Sequence, residues 1–144
     1  MSHATRSFIK WTALGAGVAL VLGSGGAVGQ ERGPAQLGPP ALSEVVTGMP
    51  RGERQEVRVI TATLKPGDKT PFHSHRFPVI VYMLEGTFTL EMEGKAPLII
   101  KAGQAMVEPP NVKMTGYNRS ATEPSRVVIF YVSDPDTPFL DPAR

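Results

Sequence analysis

The stretch GDKTPFHSHRFPVIVYMLEG, Gly67 to Gly86, decides how the rest of the chain reads. Pro66-Gly67-Asp68 opens it with a turn and Glu85-Gly86 closes it with another; Val79 to Leu84 between them is β-branched or apolar, which predicts a strand. Just upstream, His73 and His75 stand one residue apart, and the two-residue period of an extended chain points both imidazoles to one face. The only other histidine is His3. Two ring nitrogens side by side suit metal ligation, substrate hydrogen bonding or acid/base work, and also plain structural placement.

Outward from this stretch the same rhythm repeats. Glu56–Leu64, Thr87–Met92, Leu98–Ile100, Gln104–Glu108, Val112–Tyr117 and Arg126–Val132 are short segments of alternating or β-branched character. Glu93-Gly94, Ala102-Gly103 and Pro109-Pro110-Asn111 punctuate them, and no helix-length amphipathic run competes. The fold class is therefore all-β, a sandwich or barrel, because so many short strands bury their apolar faces and protect their edges only by closing on each other. A length of 144 residues suits one domain. With no Cys among them, disulfide scaffolds, thiol enzymes and cysteine-ligated metal centres are excluded.

The formal charge of +2 belongs to the leader. Arg6 and Lys10 precede an uncharged run that is most apolar from Ala13 to Leu22 and ends in Ala27-Val28-Gly29, the pattern of a cleaved export signal. Removing residues 1–29 takes away two cations and no acid, so the remainder is neutral and loses its compositional case for nucleic acid. An uncleaved N-terminal membrane anchor is the alternative reading of the same run. Residues 30–41, with three prolines, form an expected flexible arm; 42–134 form the expected barrel and 135–144 a C-terminal tail. The expected location is periplasmic or secreted.

With these segments in place, the chain resembles the cupin superfamily, specifically its small single-domain bacterial members with a jelly-roll, or double-stranded β-helix, barrel. The first cupin motif sets Gly, His, His, Glu and Gly at fixed spacings. Gly67, His73, His75 and Gly86 stand in register, while Val79 occupies the place of the metal-binding Glu. In the second motif Gly103, Pro109 and Asn118 fit, Asn111 replaces a turn Gly, and Met114 replaces the third His.

The resemblance implies a barrel mouth at which His73 and His75 meet Met114. These three would hold one metal ion, copper if the soft Met114 thioether ligates and iron, manganese, nickel or zinc otherwise; a metal-free pocket is the competing expectation. Glu108, which alternates with Val107, is a candidate to replace the missing acid. Asn118 would hold a turn or line the cup, Tyr82 and Tyr117 would orient a ligand or pack, and Arg76 would steer a carboxylate or stay solvated. The functional expectation is an exported metal-dependent oxidoreductase acting on a small organic substrate. Its alternatives are a metal-free extracytoplasmic binding module and a His-based isomerase or epimerase. Expected partners are a small molecule and a second copy in a homodimer, with no nucleic acid and no stable membrane insertion once the signal is cleaved.

Overall fold

A computed structural model describes residues 34–144, so the expected signal segment 1–29 and the first residues of the expected arm lie outside the described residues. The described chain carries nine strands and no helix: β1 (Glu56–Leu64), β2 (His73–Ser74), β3 (Val79–Glu85), β4 (Thr87–Met92), β5 (Leu98–Lys101), β6 (Ala105–Glu108), β7 (Met114–Tyr117), β8 (Ser125–Ser133) and β9 (Asp141–Pro142). They form two antiparallel sheets, ordered β1-β8-β3-β6 and β5-β4-β7-β2-β9. All-β architecture is what the alternating segments dictate.

β1, β3 and most of β8 bury alternate residues, as a half-buried strand must, while β4 also buries Thr89 between Phe88 and Leu90. In β3 Val79, Val81 and Met83 face inward; Phe88 and Leu90 of β4, Met106 of β6, Met114 of β7 and Val127 and Tyr131 of β8 meet them to make one core. The β7 strand begins at Met114, two residues later than the alternation predicts, because the preceding Asn111 turns with φ near 60°. Asn tolerates this left-handed conformation best after Gly, which explains how it stands in the place of a turn Gly.

Two strands escape the sequence rhythm. β2 is only two residues long, and β9 comes from the stretch 135–144 that the sequence presents as a tail. That stretch returns to the sheet: His73 pairs with Pro142 and Ser74 with Asp141. Residues 34–55 carry neither helix nor strand.

Candidate functional site

Thr70 and Pro71 set the site up. The Thr70 amide donates to the Gly116 carbonyl at 2.8 Å and the Gly116 amide donates to Thr70 Oγ1 at 2.9 Å, which lashes the approach to β2 onto β7. His73 then lies opposite Met114 in register, and the Asn111 amide donates to the His75 carbonyl at 2.7 Å. Both histidines are buried, His75 at 1% exposure. They reach a cavity of about 120 Å³ between the two sheets, walled by apolar groups such as Leu64, Val81, Phe88, Val127 and Ile129. Gly116 also lines it, and the Phe88 ring lies where a Cβ on Gly116 would fall.

The hydrogen bonds fix the chemistry of the two rings. His73 Nδ1 lies 2.7 Å from the Pro71 carbonyl and His75 Nδ1 lies 2.6 Å from the Phe139 carbonyl. A carbonyl only accepts, so each Nδ1 carries the proton and donates it. Each Nε2 is then free to present its lone pair. These two atoms stand 3.0 Å apart, and Glu108 Oε2 lies 3.2 Å from His75 Nε2 with its side chain buried. Three electron-rich atoms crowded in an apolar cavity require a proton or a metal cation among them.

This geometry sorts the residues singled out in the sequence. His73, His75 and Glu108 come together at the cavity. Met114 is fully buried opposite His73 but joins the apolar core and is not among the residues lining the cavity. Asn118 is a turn residue: its amide donates to the carbonyls of Leu64 at 3.0 Å and Glu123 at 2.8 Å, and its side-chain oxygen accepts from the Ser120 amide at 3.0 Å. Tyr82, paired with Val128, alternates with the inward Val81 and Met83 and so faces outward; Tyr117 lies under the Arg119 guanidinium, 4.5 Å from its ring centroid. Arg76 makes a two-point, exposed ion pair with Asp141 at 2.9 and 3.1 Å.

The cupin domain family matches residues 60–131, half of the chain. The chain belongs to the cupin family. Among solved structures it is similar to a cupin-like protein of Thermotoga maritima, with 28% identity over 54% of this chain and 56% of that one and a TM-score of 0.47. The DMSP lyase DddQ of Ruegeria pomeroyi aligns at 21% identity over 60% of this chain and 43% of its own, with a TM-score of 0.52. The polyketide cyclase RemF of Streptomyces resistomycificus aligns at 19% identity over 61% of each chain, with a TM-score of 0.50. This cupin thus spans about half the length of the first two, and its likeness to the lyase and the cyclase is one of fold. No curated protein matches it.

The family's pattern shows what is unusual in this cupin. Val79, standing where the motif acid belongs, is fully buried, and its register partner across the sheet is Glu108. Directly opposed residues of an antiparallel pair share a face, so Glu108 on β6 delivers a carboxylate to the same end of the cavity. Sequence reasoning missed the other wall of the site altogether. Phe139 and Leu140 line the cavity from the C-terminal stretch, and the only signal for them is an apolar pair set between Pro138 and Pro142. Tyr131 was also passed over; its ring stands 6.1 Å from His75 and 5.4 Å from Phe139, and the Arg58 guanidinium lies 5.0 Å from its centroid.

Proposed function

We propose that this cupin is an exported enzyme whose centre is His73, His75 and Glu108, with one divalent metal ion held by the two Nε2 atoms and the Glu108 carboxylate. The observation that carries the proposal is the pair of Nδ1–H donors held by backbone carbonyls, which leaves both Nε2 lone pairs facing one another beside a carboxylate. Metal-binding histidines are oriented by just this kind of outer hydrogen bond. Two imidazoles and a carboxylate suit iron, manganese, nickel or zinc; the case for copper rested on the Met114 thioether, which lies in the core. When bound, such an ion supplies Lewis-acid polarisation of a substrate oxygen and, for iron or manganese, a redox couple.

The chain's own groups limit what the substrate can be. A cavity of about 120 Å³ is far smaller than the roughly 300–1,000 Å³ of pockets for drug-sized ligands. It admits a molecule of a few heavy atoms, apolar along the walls and polar where it meets the histidines. The aliphatic and aromatic lining excludes water from that end, which strengthens every charge interaction there. The Glu108 carboxylate, in contact with His75, makes up the rest of that polar end.

The test is metal analysis of the protein purified with and without air, beside His73→Ala, His75→Ala and Glu108→Gln. Stoichiometric iron, manganese, nickel or zinc in the native protein, lost in the variants, is the expected result. Correctly folded protein without metal from both preparations overturns the proposal. A second reading has its own support: among the described residues no three His, Cys, Asp or Glu side chains already stand as a metal shell. Here the cavity binds its ligand without metal, and His75 and Glu108 handle a proton between them, as an isomerase or epimerase requires. Saturable binding that survives chelation selects this reading.

Export and assembly complete the proposal. Export is supported by the charged start, short apolar run and small residues within 1–29. A homodimer is supported by the outer face of the β1-β8-β3-β6 sheet, where Val57 and Val59 are 68% and 61% exposed and Leu84 and Phe130 are also bare.

A further inference from the structure

Thr137 to Arg144 runs past the cavity, which Phe139 and Leu140 line, and two kinds of contact distinguish it from an ordinary tail. On its inner side Phe139 and Leu140 form part of the cavity wall, and the Phe139 carbonyl accepts the His75 Nδ1 proton at 2.6 Å. On its outer side the attachments are few and light. β9 pairs with β2 over two residues, one of them Pro142, which has no N–H to donate. The Ala143 amide donates to the Phe72 carbonyl at 3.0 Å, and the Arg76–Asp141 pair that pins the middle is exposed on both partners. Upstream, Asp136 turns with φ near 61°, and Arg58 Nη2 donates to the Thr137 carbonyl at 2.6 Å, which anchors one end.

We propose that Pro138–Arg144 is a strap hinged at Asp136–Thr137 that opens to admit ligand, and that Phe139 is a positioning residue that fixes the His75 tautomer only when the strap is closed. This rests on the reading of the cavity as the ligand site. The two histidines differ in a way that makes the proposal specific: the His73 proton is held by the Pro71 carbonyl two residues away, whereas the His75 proton is held by the strap. Opening therefore frees one ring and leaves the other locked. It also removes the Phe139 and Leu140 part of the cavity wall, so a single movement widens access and releases the His75 ring.

Two readouts test this on the full chain, on Asp141→Asn, and on a chain ended after Pro138. The first is the rate at which diethyl pyrocarbonate acylates His73 and His75, mapped by peptide mass, with the unfolded chain as control. The expected rise is roughly two- to fivefold for Asp141→Asn, as suits loss of one exposed ion pair, and larger for the shortened chain. The second is the 15N shift pattern of the imidazoles. In the shortened chain His75 is expected to lose its fixed Nδ1–H pattern while His73 keeps it. Rates in Asp141→Asn equal to those of the native chain, or loss of the pattern at both rings together, overturns the strap. If the shortened chain does not fold, the Asp141→Asn rate alone decides. Binding of Fe2+, Mn2+, Ni2+ and Zn2+ is measured in parallel. A chain that binds none of the four yet shows both responses keeps the strap and loses the metal reading, so the two failures are distinguishable.

Discussion

At the residue scale the site turns on which atoms are donors. The pair of backbone carbonyls at Pro71 and Phe139 makes both Nε2 atoms acceptors, and Glu108 adds a third acceptor from across the sheet. Glu108→Gln removes the charge while keeping the shape, and is expected to weaken metal binding at least about tenfold, read by competitive chelation. Met114→Leu, a volume-conserving change in the core, is expected to leave metal content unchanged and to cost less than about 1.5 kcal/mol, read by urea unfolding. Tyr131 gives a prediction at alkaline pH. Burial pushes its phenol above the ordinary value, opposed by the nearby Phe77 backbone and the Arg58 guanidinium. The folded state thus keeps a proton that the unfolded chain gives up near pH ~10, so this contribution to stability is present below that pH and is lost as pH rises through the folded value. Tyr131→Phe is expected to flatten the fall in the denaturant midpoint above about pH 10. The paired histidines are legible in the sequence because their spacing matches the period of a strand. Glu108 is legible only as a candidate for the missing acid, from its alternation with Val107, because its place opposite Val79 depends on the register of β3 against β6.

At the element scale the turns and the last strand show how equal-looking signals differ in weight. Gly67 and Gly86 both adopt left-handed backbone, with φ near 81° and 75°. A Cβ at Gly67 meets nothing within 4 Å, whereas one at Gly86 would lie 2.2 Å from the Pro124 carbonyl oxygen. Gly67→Ala is expected to cost about 1–2 kcal/mol for the backbone alone. Gly86→Ala is expected to cost about 2–4 kcal/mol, because the β3–β4 turn must also move off the loop before β8, and urea unfolding of the two variants compares them directly. In β9 the Arg76 guanidinium, by hydrogen bond and by charge, holds the Asp141 carboxyl below its ordinary value, opposed by partial burial. A depressed carboxyl stabilises the folded form above its unfolded value and loses that contribution as pH falls through the folded one. The Asp141 carboxyl shift is therefore expected to titrate below the ordinary aspartate range and to return toward it in Arg76→Gln. The β9 strand was hidden because two prolines and a two-residue pairing leave no period to detect; the seven longer strands were visible because each offers at least three residues of alternating or β-branched character.

At the scale of the whole molecule, one sheet carries an apolar surface on each side. Val59 lies opposite Phe130 and Phe130 opposite Ile80, so the outward residues of β1, β8 and β3 form one continuous row. An exposed row of this kind fits a two-fold contact with a second copy, in which the same patch serves both partners. Phe130→Lys places a charge in its centre and tests the proposed homodimer: half the sedimenting mass with the fold intact supports it, and an unchanged mass overturns it. The sequence by itself determined the all-β class, the strand rhythm, the cupin resemblance and the two histidines, because each is a local pattern of side-chain period or turn chemistry. The tertiary structure alone decided that Glu108 rather than Met114 reaches His75, and that Phe139 holds its other nitrogen. Those contacts join residues far apart in the chain, and strand register and the return of the C-terminal stretch are set by packing across the sheets rather than by any neighbour in sequence.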